Sequence, residues 1–350
     1  DGLNTAIGAR ALKLLNAGAD AHNVAVGYVA GQNVTTGKFN VLIGGLAGDA
    51  LTDADNNVAV GTSTLSNDTL GSKSTAIGHS ALANQNFTTA TDSHNTAVGN
   101  EAGNAVTTGT FNCLFGSQAG DAMTTALGNV AIGTDSQGVN TASDKNVSVG
   151  NNTLASLNHT DGTDAYNTAV GHQAGLQITT GVQNTFIGAE AGDALTDSDS
   201  NVVVGMQALT TDTLGSKSTA VGVGALANQN FTTATDTANT AVGFSAGGNL
   251  TTGINNSLVG FEAGDKLTDA DHNTAMGRRA LYSNVLGSRS TAIGHNALHN
   301  QNPATAVDMY NTAVGFEAGN LINTGVNNTF VGAQAGDANT TANDNSAFGK

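Results

Sequence analysis

The 350-residue chain is poor in the residues that build most compact domains. Proline and cysteine each occur once, tryptophan never, and aromatic residues make up 4% of the chain. Collagen is excluded because it needs abundant proline and a glycine at every third position. An internal disulfide is excluded because Cys113 has no second cysteine to pair with. With so few large side chains, we do not expect the thick core of an ordinary enzyme.

Charge is scarce and unbalanced. Charged residues make up 11% of the chain, and 27 acidic against 11 basic residues give a net charge of −16. This balance predicts that nucleic acid is not a partner. No apolar run reaches the length of a membrane span, so we expect no membrane insertion.

Glycine is abundant instead, and its 46 residues follow a strict period. A core of the form Asn-(Thr/Val)-Ala-(Val/Ile)-Gly recurs along the chain, and from Gly27 onward its glycines are spaced 17, 17, 17 and 21 residues apart. This set of four intervals repeats every 72 residues. A fixed period of this kind is typical of solenoids, in which each repeat packs only on its neighbours.

Each repeat is one coil, numbered here from its asparagine, so that the recurring glycine is position 5. The period predicts a single continuous repeat domain over 1–350 with about 20 coils, in the blocks 23–94, 95–166, 167–238, 239–310 and 311–350. Because the chain opens and closes inside a repeat, we expect it to be a segment of a longer chain.

The apolar pattern within a coil predicts β-structure. Positions 2 to 4 alternate as a strand does, and β-branched residues dominate position 4. A second apolar ridge lies half a coil away at position 12, for example Val34 and Leu51. Two ridges per coil predict an all-β parallel β-solenoid, flattened into a two-sheet β-roll of 17/17/17/21-residue coils.

Positions 1 and 5 are interpreted as structural. Stacked asparagine amides can hydrogen-bond from coil to coil, and glycine adopts the positive φ that a turn requires. The residues at positions 1 and 5 to which we assign this structural role include Asn23, Gly27, Asn40, Gly44, Asn57, Gly61, Asn95, Gly99, Asn167, Gly171, Asn239, Gly243, Asn311 and Gly315.

Position 3 is mostly alanine, with one bulky residue such as Leu42 in each block. We interpret this small-residue face as a surface that packs against identical chains, because one thin roll has little core of its own. The sequence therefore predicts a homo-oligomer, with a self-sufficient monomer as the alternative. The 21-residue coils carry extra segments such as 84–94, which lack a core pattern and are expected to protrude.

The repeat resembles two groups of known proteins. The motifs Asn23–Gly27 (NVAVG) and Ser74–Gly78 (STAIG) resemble the head repeat of trimeric autotransporter adhesins, although that repeat is shorter than 17 residues. The longer unit Asn311–Gly336 is similar to repeats of bacterial and phage tail-fibre-domain proteins. The resemblance implies a left-handed roll, a homotrimer, and an extracellular location on a virion tail fibre or a bacterial cell surface.

The polar residues offer no catalytic set, so we expect no enzyme and no cofactor, with calcium as the one metal to consider. Aspartates recur at position 10 of the second coil and in Asp-x-Asp pairs, which suit oxygen-only calcium binding. Turn chemistry explains them equally well, and a basic residue recurring at position 17, such as Lys73, could pair with them. The calcium candidates are Asp49, Asp53, Asp55, Asp193, Asp197, Asp199, Asp265, Asp269 and Asp271.

These observations predict a structural extracellular fibre shaft for host or surface attachment, without catalysis. The alternative is a bacterial trimeric surface adhesin whose β-roll itself binds a receptor, and a further alternative is an ice-binding solenoid. The expected partners are further copies of the chain and a host-surface receptor or glycan.

Overall fold

The architecture is that of a computed structural model, which describes residues 2–350. It is a parallel β-solenoid in which three-residue strands recur once per coil, and residues 2–350 contain no helix. The predicted fold class is therefore confirmed. The chain divides into two compact units, of which the first ends at Gln173 and the second begins at Ala174.

The first unit contains ten strands of three residues and two of two residues. They are β1 Thr5–Ile7, β2 Val24–Val26, β3 Val41–Ile43, β4 Val58–Val60, β5 Gly71–Ser72, β6 Thr75–Ile77, β7 Thr91–Asp92, β8 Thr96–Val98, β9 Cys113–Phe115, β10 Val130–Ile132, β11 Val147–Val149 and β12 Thr168–Val170. Each three-residue strand pairs in parallel with that of the next coil, and equivalent positions meet, as Val24 meets Val41.

The second unit repeats this arrangement. Its strands are β13 Thr185–Ile187, β14 Val202–Val204, β15 Gly215–Ser216, β16 Thr219–Val221, β17 Thr235–Asp236, β18 Thr240–Val242, β19 Ser257–Val259, β20 Thr274–Met276, β21 Gly287–Ser288, β22 Thr291–Ile293, β23 Val307–Asp308, β24 Thr312–Val314, β25 Thr329–Val331 and β26 Ser346–Phe348. The three-residue strands again pair in parallel from coil to coil. Within each unit, these strands form what we call the main sheet.

The second side of each coil is built mainly from turns. Backbone bonds still join neighbouring coils there, as the Thr35 and Thr52 N–H groups donate to the Thr52 and Thr69 carbonyls at 2.9 Å. In residues 2–350, strand pairs on this side are limited to β5 with β7, β15 with β17 and β21 with β23, beside one isolated bridge. All of them join a third coil to the 21-residue coil that follows it.

Position 3 points into the coil, which corrects the predicted packing surface. Ala25, Leu42 and Ala59 are completely buried within a single chain, so the position-3 face is not available to pack against identical chains. Positions 2 and 4 point outward instead, and Ile43 is 37% exposed. Strand alternation separates the two faces but does not say which of them is buried.

The interior of each coil is filled by residues of complementary size at positions 3 and 9: where one is large, the other is small. Beside Leu42, position 9 is glycine in this coil and in the one before. A Cβ added at Gly31 or Gly48 would lie 2.6 Å or 2.8 Å from the Leu42 side chain. Where position 3 is Ala59, position 9 is the completely buried Leu65. Close packing is reached because large and small residues alternate between these positions, so few large side chains are enough.

Position 1 forms the predicted asparagine ladder. The Asn23 Oδ1 accepts the Asn40 N–H at 2.9 Å, and the Asn40 Oδ1 accepts the Asn57 N–H at 2.9 Å. The Asn40 Nδ2 also donates to the Ala54 carbonyl at 2.7 Å. These asparagines are completely buried, so each satisfies backbone groups of two coils that water cannot reach.

Candidate functional site

The described residues hold no arrangement that points to metal binding. In residues 2–350, no group of three or more histidine, cysteine, aspartate or glutamate side chains is placed to hold an ion. The same residues contain no helix with the length and hydropathy of a membrane span. The free thiol of Cys113 is half-buried at position 2 of β9.

The Asp-x-Asp pairs considered for calcium are hydrogen-bonded to the preceding coil. The Asp53 Oδ1 accepts the Thr36 hydroxyl at 2.6 Å, and the Asp55 Oδ1 accepts the Lys38 N–H at 2.7 Å. The other pairs repeat this pattern: Asp197 with Thr180, Asp199 with Val182, Asp269 with Thr252 and Asp271 with Ile254. These bonds agree with the interpretation as turn chemistry, and calcium binding stays a prediction.

The aspartates at position 10 of the second coil are partly removed from water. Burial raises the pKa of the Asp49 carboxyl above its usual range, and a backbone hydrogen bond offsets part of this rise. Burial is also the main reason for the raised pKa of Asp121, Asp193 and Asp265. The Asp193 Oδ1 accepts the Thr210 hydroxyl at 2.6 Å, whereas the buried Asp49 Oδ1 has no hydrogen-bond partner in the chain.

Replacing Asp49 with asparagine is expected to stabilise the fold at neutral pH. With its pKa raised, the folded chain holds this proton more tightly than the unfolded chain, so the carboxyl contributes stability at low pH. That contribution is lost as the pH rises through the raised pKa. Thermal unfolding at pH 7 should show a gain below about 1 kcal/mol, because the group is partly solvated. The gain should shrink as the pH falls through the raised pKa and vanish below about 4, the pKa of the unfolded carboxyl, and a gain that is independent of pH would contradict this account.

The recurring basic residues pair with a different set of aspartates from the one considered in the sequence. Lys73 Nζ lies 2.5 Å from Asp92 Oδ2, in the 21-residue coil that follows, rather than beside Asp53 or Asp55. The equivalent pairs are Lys145 with Asp164, Lys217 with Asp236 and Arg289 with Asp308. All four pairs are largely exposed, so each adds little to stability.

A buried carboxylate lies where the third coil of the first block meets the fourth. Asp68 is completely buried. Its Oδ1 accepts the backbone N–H groups of Gly71 at 3.0 Å and Phe87 at 3.1 Å, and its Oδ2 accepts the Gln85 amide at 2.6 Å. All three donors are neutral, so hydrogen bonds and not an ion pair satisfy this buried side chain.

Gln85 links this carboxylate to the asparagine ladder. Its Nε2 donates to the Ser74 hydroxyl at 2.8 Å, and its Oε1 accepts the Asn95 amide at 2.9 Å. The Ser74 and Ser93 hydroxyls lie 2.5 Å apart. The second unit contains the same buried cluster, formed by Asp212, Gln229, Ser218, Asn239 and Thr237. A repeated cluster of this kind fixes how the longer coil joins its neighbours.

The sequence-based interpretation missed this cluster. In the third coil the apolar residues stand at positions 9 and 14 instead of 12, and Leu70 at position 14 is only partly buried. The interpretation also treated 84–94 as protruding, although Gln85, Phe87 and Ser93 are buried. The available signal was polar identity at position 12, where Asp68 and Gln85 recur two blocks later as Asp212 and Gln229.

In each unit, the outward face of the main sheet carries a row of partly exposed apolar side chains at position 4, beside mostly threonine and valine at position 2. In the first unit, Ile77, Phe115 and Ile132 are 38%, 43% and 38% exposed. The equivalent residues of the second unit include Ile187, Val242 and Met276. No coil carries a charged residue at position 2 or 4. Extended apolar surfaces of this kind mark interaction sites.

In comparisons with known proteins, neither a family model nor a curated protein matches the chain. The resemblance to adhesin heads and tail-fibre repeats therefore stays a prediction.

Proposed function

We propose that the chain is a non-catalytic structural fibre shaft, whose copies associate through the outward face of the main sheet. The observation that carries the proposal is the row of partly exposed apolar side chains at position 4. Covering such a face is favourable by about 25 cal/mol for each Å² removed from water.

A second copy of the chain fits this face for two reasons. First, identical copies have identical coil spacing, so their position-4 rows can meet coil by coil along the whole contact. Second, positions 2 and 4 carry no charged residue, although the net charge of the chain is −16. Like charges therefore do not oppose one another across the contact. A closed, parallel association meets both conditions and leaves no apolar row in water.

The proposed role is mechanical. Backbone hydrogen bonds join each coil to the next on both sides, as the pairs Gly44 N–H to Val26 carbonyl and Thr35 N–H to Thr52 carbonyl illustrate. Extending such a shaft requires breaking many of these bonds together. The resemblance to tail-fibre and adhesin-head repeats supports a homotrimer on a virion tail fibre or a bacterial surface, where the shaft would hold a binding tip away from a larger body.

Oxidation of the native chain is expected to cross-link copies through Cys113. This thiol lies at position 2 of the outward face, so parallel, in-register association brings equivalent cysteines to the same level. Gel electrophoresis under non-reducing conditions should show covalent dimers, because one thiol per chain can join only two chains.

The matched control moves the thiol to the second side of the coil. A Cys113→Ser, Thr108→Cys variant keeps one thiol per chain, at an exposed position of that side, and is expected to form few cross-links. Equal cross-linking of both proteins, or none of the native chain, would contradict association through the outward face.

A further inference from the structure

The residue just before position 1 of each coil leads into the main sheet, and in the first unit these residues form what we name the corner row. Rings in neighbouring coils of this row stack, with centroids 5.5 Å apart for His22 and Phe39 and 5.3 Å apart for His94 and Phe111. From the second coil of the unit onward, the members are His22, Phe39, Asn56, Lys73, His94, Phe111, Gly128, Lys145 and Tyr166.

Gly128 leaves a gap of one coil in the corner row, which we name the Gly128 slot. The backbone places Gly128 between its neighbours, because its N–H donates to the Thr110 carbonyl and the Lys145 N–H donates to the Leu127 carbonyl, both at 3.0 Å. Its φ of +66° does not require glycine, since Phe111 and Lys145 adopt +61° and +59°. A Cβ added at Gly128 would meet only the Lys145 Cγ, at 3.9 Å. The fold therefore has room for a side chain that the sequence omits.

One wall of the slot is a face of the Phe111 ring. The His94 ring covers the opposite face, with 16° between the two ring planes. Phe111 is 62% exposed, whereas Phe39 is 53% exposed, so exposure is higher where glycine replaces the next side chain of the row. A ring at the level of Gly128 would lie about one coil step of 4.8 Å from Phe111, which is within the range for stacked rings.

The other wall is Lys145 with its ion-pair partner. Lys145 Nζ donates to Asp164 Oδ2 at 2.6 Å and to the Tyr166 hydroxyl at 3.3 Å, and this hydroxyl donates to the same Oδ2 at 3.0 Å. An ammonium group has three donors, so one stays unused, and within residues 2–350 the Asp164 Oδ1 accepts no hydrogen bond. This wall therefore offers a free donor and a free acceptor side by side.

The two walls together fit a neutral sugar. The face of an aromatic ring carries the negative part of its quadrupole and favours the C–H groups on the flat side of a pyranose. Each sugar hydroxyl can both donate and accept, so two adjacent hydroxyls can use the Asp164 acceptor and the Lys145 donor. An anionic ligand would meet the carboxylates of Asp164 and Asp144, the latter buried with its Oδ1 on the Leu127 N–H. An organic cation would have to displace the Lys145 ammonium from Asp164.

We propose that the Gly128 slot binds one pyranose ring of a neutral glycan, with the C–H side of the sugar on Phe111 and two adjacent hydroxyls on Lys145 and Asp164. The slot lies outside positions 2 and 4, so this binding activity goes beyond the shaft role. It does not depend on self-association, and its failure would leave the shaft proposal standing.

The test measures binding of methyl β-galactoside to the full chain by saturation-transfer NMR, with the strongest transfer expected at ring C–H protons. Phe111→Ala removes the stacking face and should raise the dissociation constant about tenfold. Gly128→Gln fills the slot and should abolish binding. The backbone accepts this side chain, because Gln183 occupies the same place in a later coil with a φ of +59°.

The repeat supplies a matched control for each variant. Phe39→Ala removes the equivalent ring one block earlier, where Asn56 stands in place of Gly128, and Ser200→Gln changes the equivalent residue one block later. Both controls should bind the galactoside as the unchanged chain does. All four substituted residues are exposed, so circular dichroism of the variants should match that of the unchanged chain.

Several results would overturn this proposal. They are no saturation transfer to the galactoside, unchanged affinity in Phe111→Ala or Gly128→Gln, or an equal loss in the matched controls. Tighter binding of indole or of tetramethylammonium than of the galactoside would also overturn it, because the slot would then select an apolar ring or a cation.

Discussion

Replacing Gly44 with alanine is expected to break the main sheet locally, whereas replacing its neighbour Gly45 is expected to leave it intact. Gly44 has a φ of +134°, and a Cβ added there would lie 2.3 Å from the Gly61 carbonyl oxygen of the next coil. That oxygen belongs to the backbone and cannot turn aside. The strained φ and the overlap each cost about 1–3 kcal/mol, which is a large change for one residue.

Gly45 supplies the matched control because a Cβ added there meets nothing within 4 Å. Alanine at this position should be neutral or stabilise the fold by up to about 1 kcal/mol, since it restricts the unfolded chain. Amide hydrogen exchange is the suitable measurement, because a repeat protein opens locally. Protection of the amides of β3 and β4 should be lost in Gly44→Ala and kept in Gly45→Ala. Similar protection in the two variants would contradict the close approach of successive coils.

Replacing Asp68 with alanine is expected to destabilise the third and fourth coils of the first block by about 3 kcal/mol or more, because each buried donor left without an acceptor costs about 1–3 kcal/mol. The substitution leaves the N–H groups of Gly71 and Phe87 and the Gln85 amide without their acceptor in a completely buried site. Unsatisfied buried donors are costly because no water replaces the lost bond. Faster hydrogen exchange at Gly71 and Phe87 should report the opening.

The repeat itself supplies the control, since the fourth block carries Asn284 in place of this aspartate. The Asn284 Oδ1 accepts the Gly287 N–H at 2.9 Å, which is the bond that Asp68 makes to Gly71. Asp68→Asn is therefore expected to cost less than Asp68→Ala, about 1–3 kcal/mol, because Oδ1 still accepts from the backbone while the Gln85 amide loses the acceptor that Oδ2 supplied. A loss as large as that of Asp68→Ala would mean that the negative charge, rather than the acceptor geometry, stabilises the cluster.

The repeat framework could be predicted from the sequence because it depends on backbone chemistry. Only glycine fits position 5, where Gly44 approaches the next carbonyl, and asparagine at position 1 bonds to the backbone on either side. These requirements recur from coil to coil, so they appear in the sequence as glycine at every position 5 and as asparagine at position 1 in all coils but three, where serine replaces it. Position in the period was therefore enough to assign both roles.

The faces of the coil could not be predicted in the same way. Alternation places Val24 and Val26 opposite Ala25, but a small residue inside a narrow coil and a small residue at a chain contact give the same pattern. The buried Asp68 and Gln85 were missed for a related reason, since aspartate and glutamine at a ridge position are normally exposed. Their burial depends on partners such as Phe87 and Asn95, which belong to the longer coil and the coil after it.

The stacked rings at position 6 in the second unit, such as Phe244 on Phe261, illustrate a third limit. Position 6 varies from coil to coil, so single residues such as Phe261 or Arg278 look like scattered surface side chains. Parallel pairing places one on top of the next, and this converts variable positions into a continuous surface. The spacing of the repeat aligns these residues, but their stacking could be seen only in the structure.

Analytical ultracentrifugation of the native chain tests the central proposal, self-association through the outward face, most directly. Sedimentation equilibrium is expected to give an integer multiple of the chain mass of 34.7 kDa, with three as the multiple that the resemblance implies. The mass should fall to that of one chain when Ile77 and Ile132 are both replaced by glutamate, because a charged outward face resists burial. A native chain that sediments as a stable 34.7 kDa monomer would contradict the account.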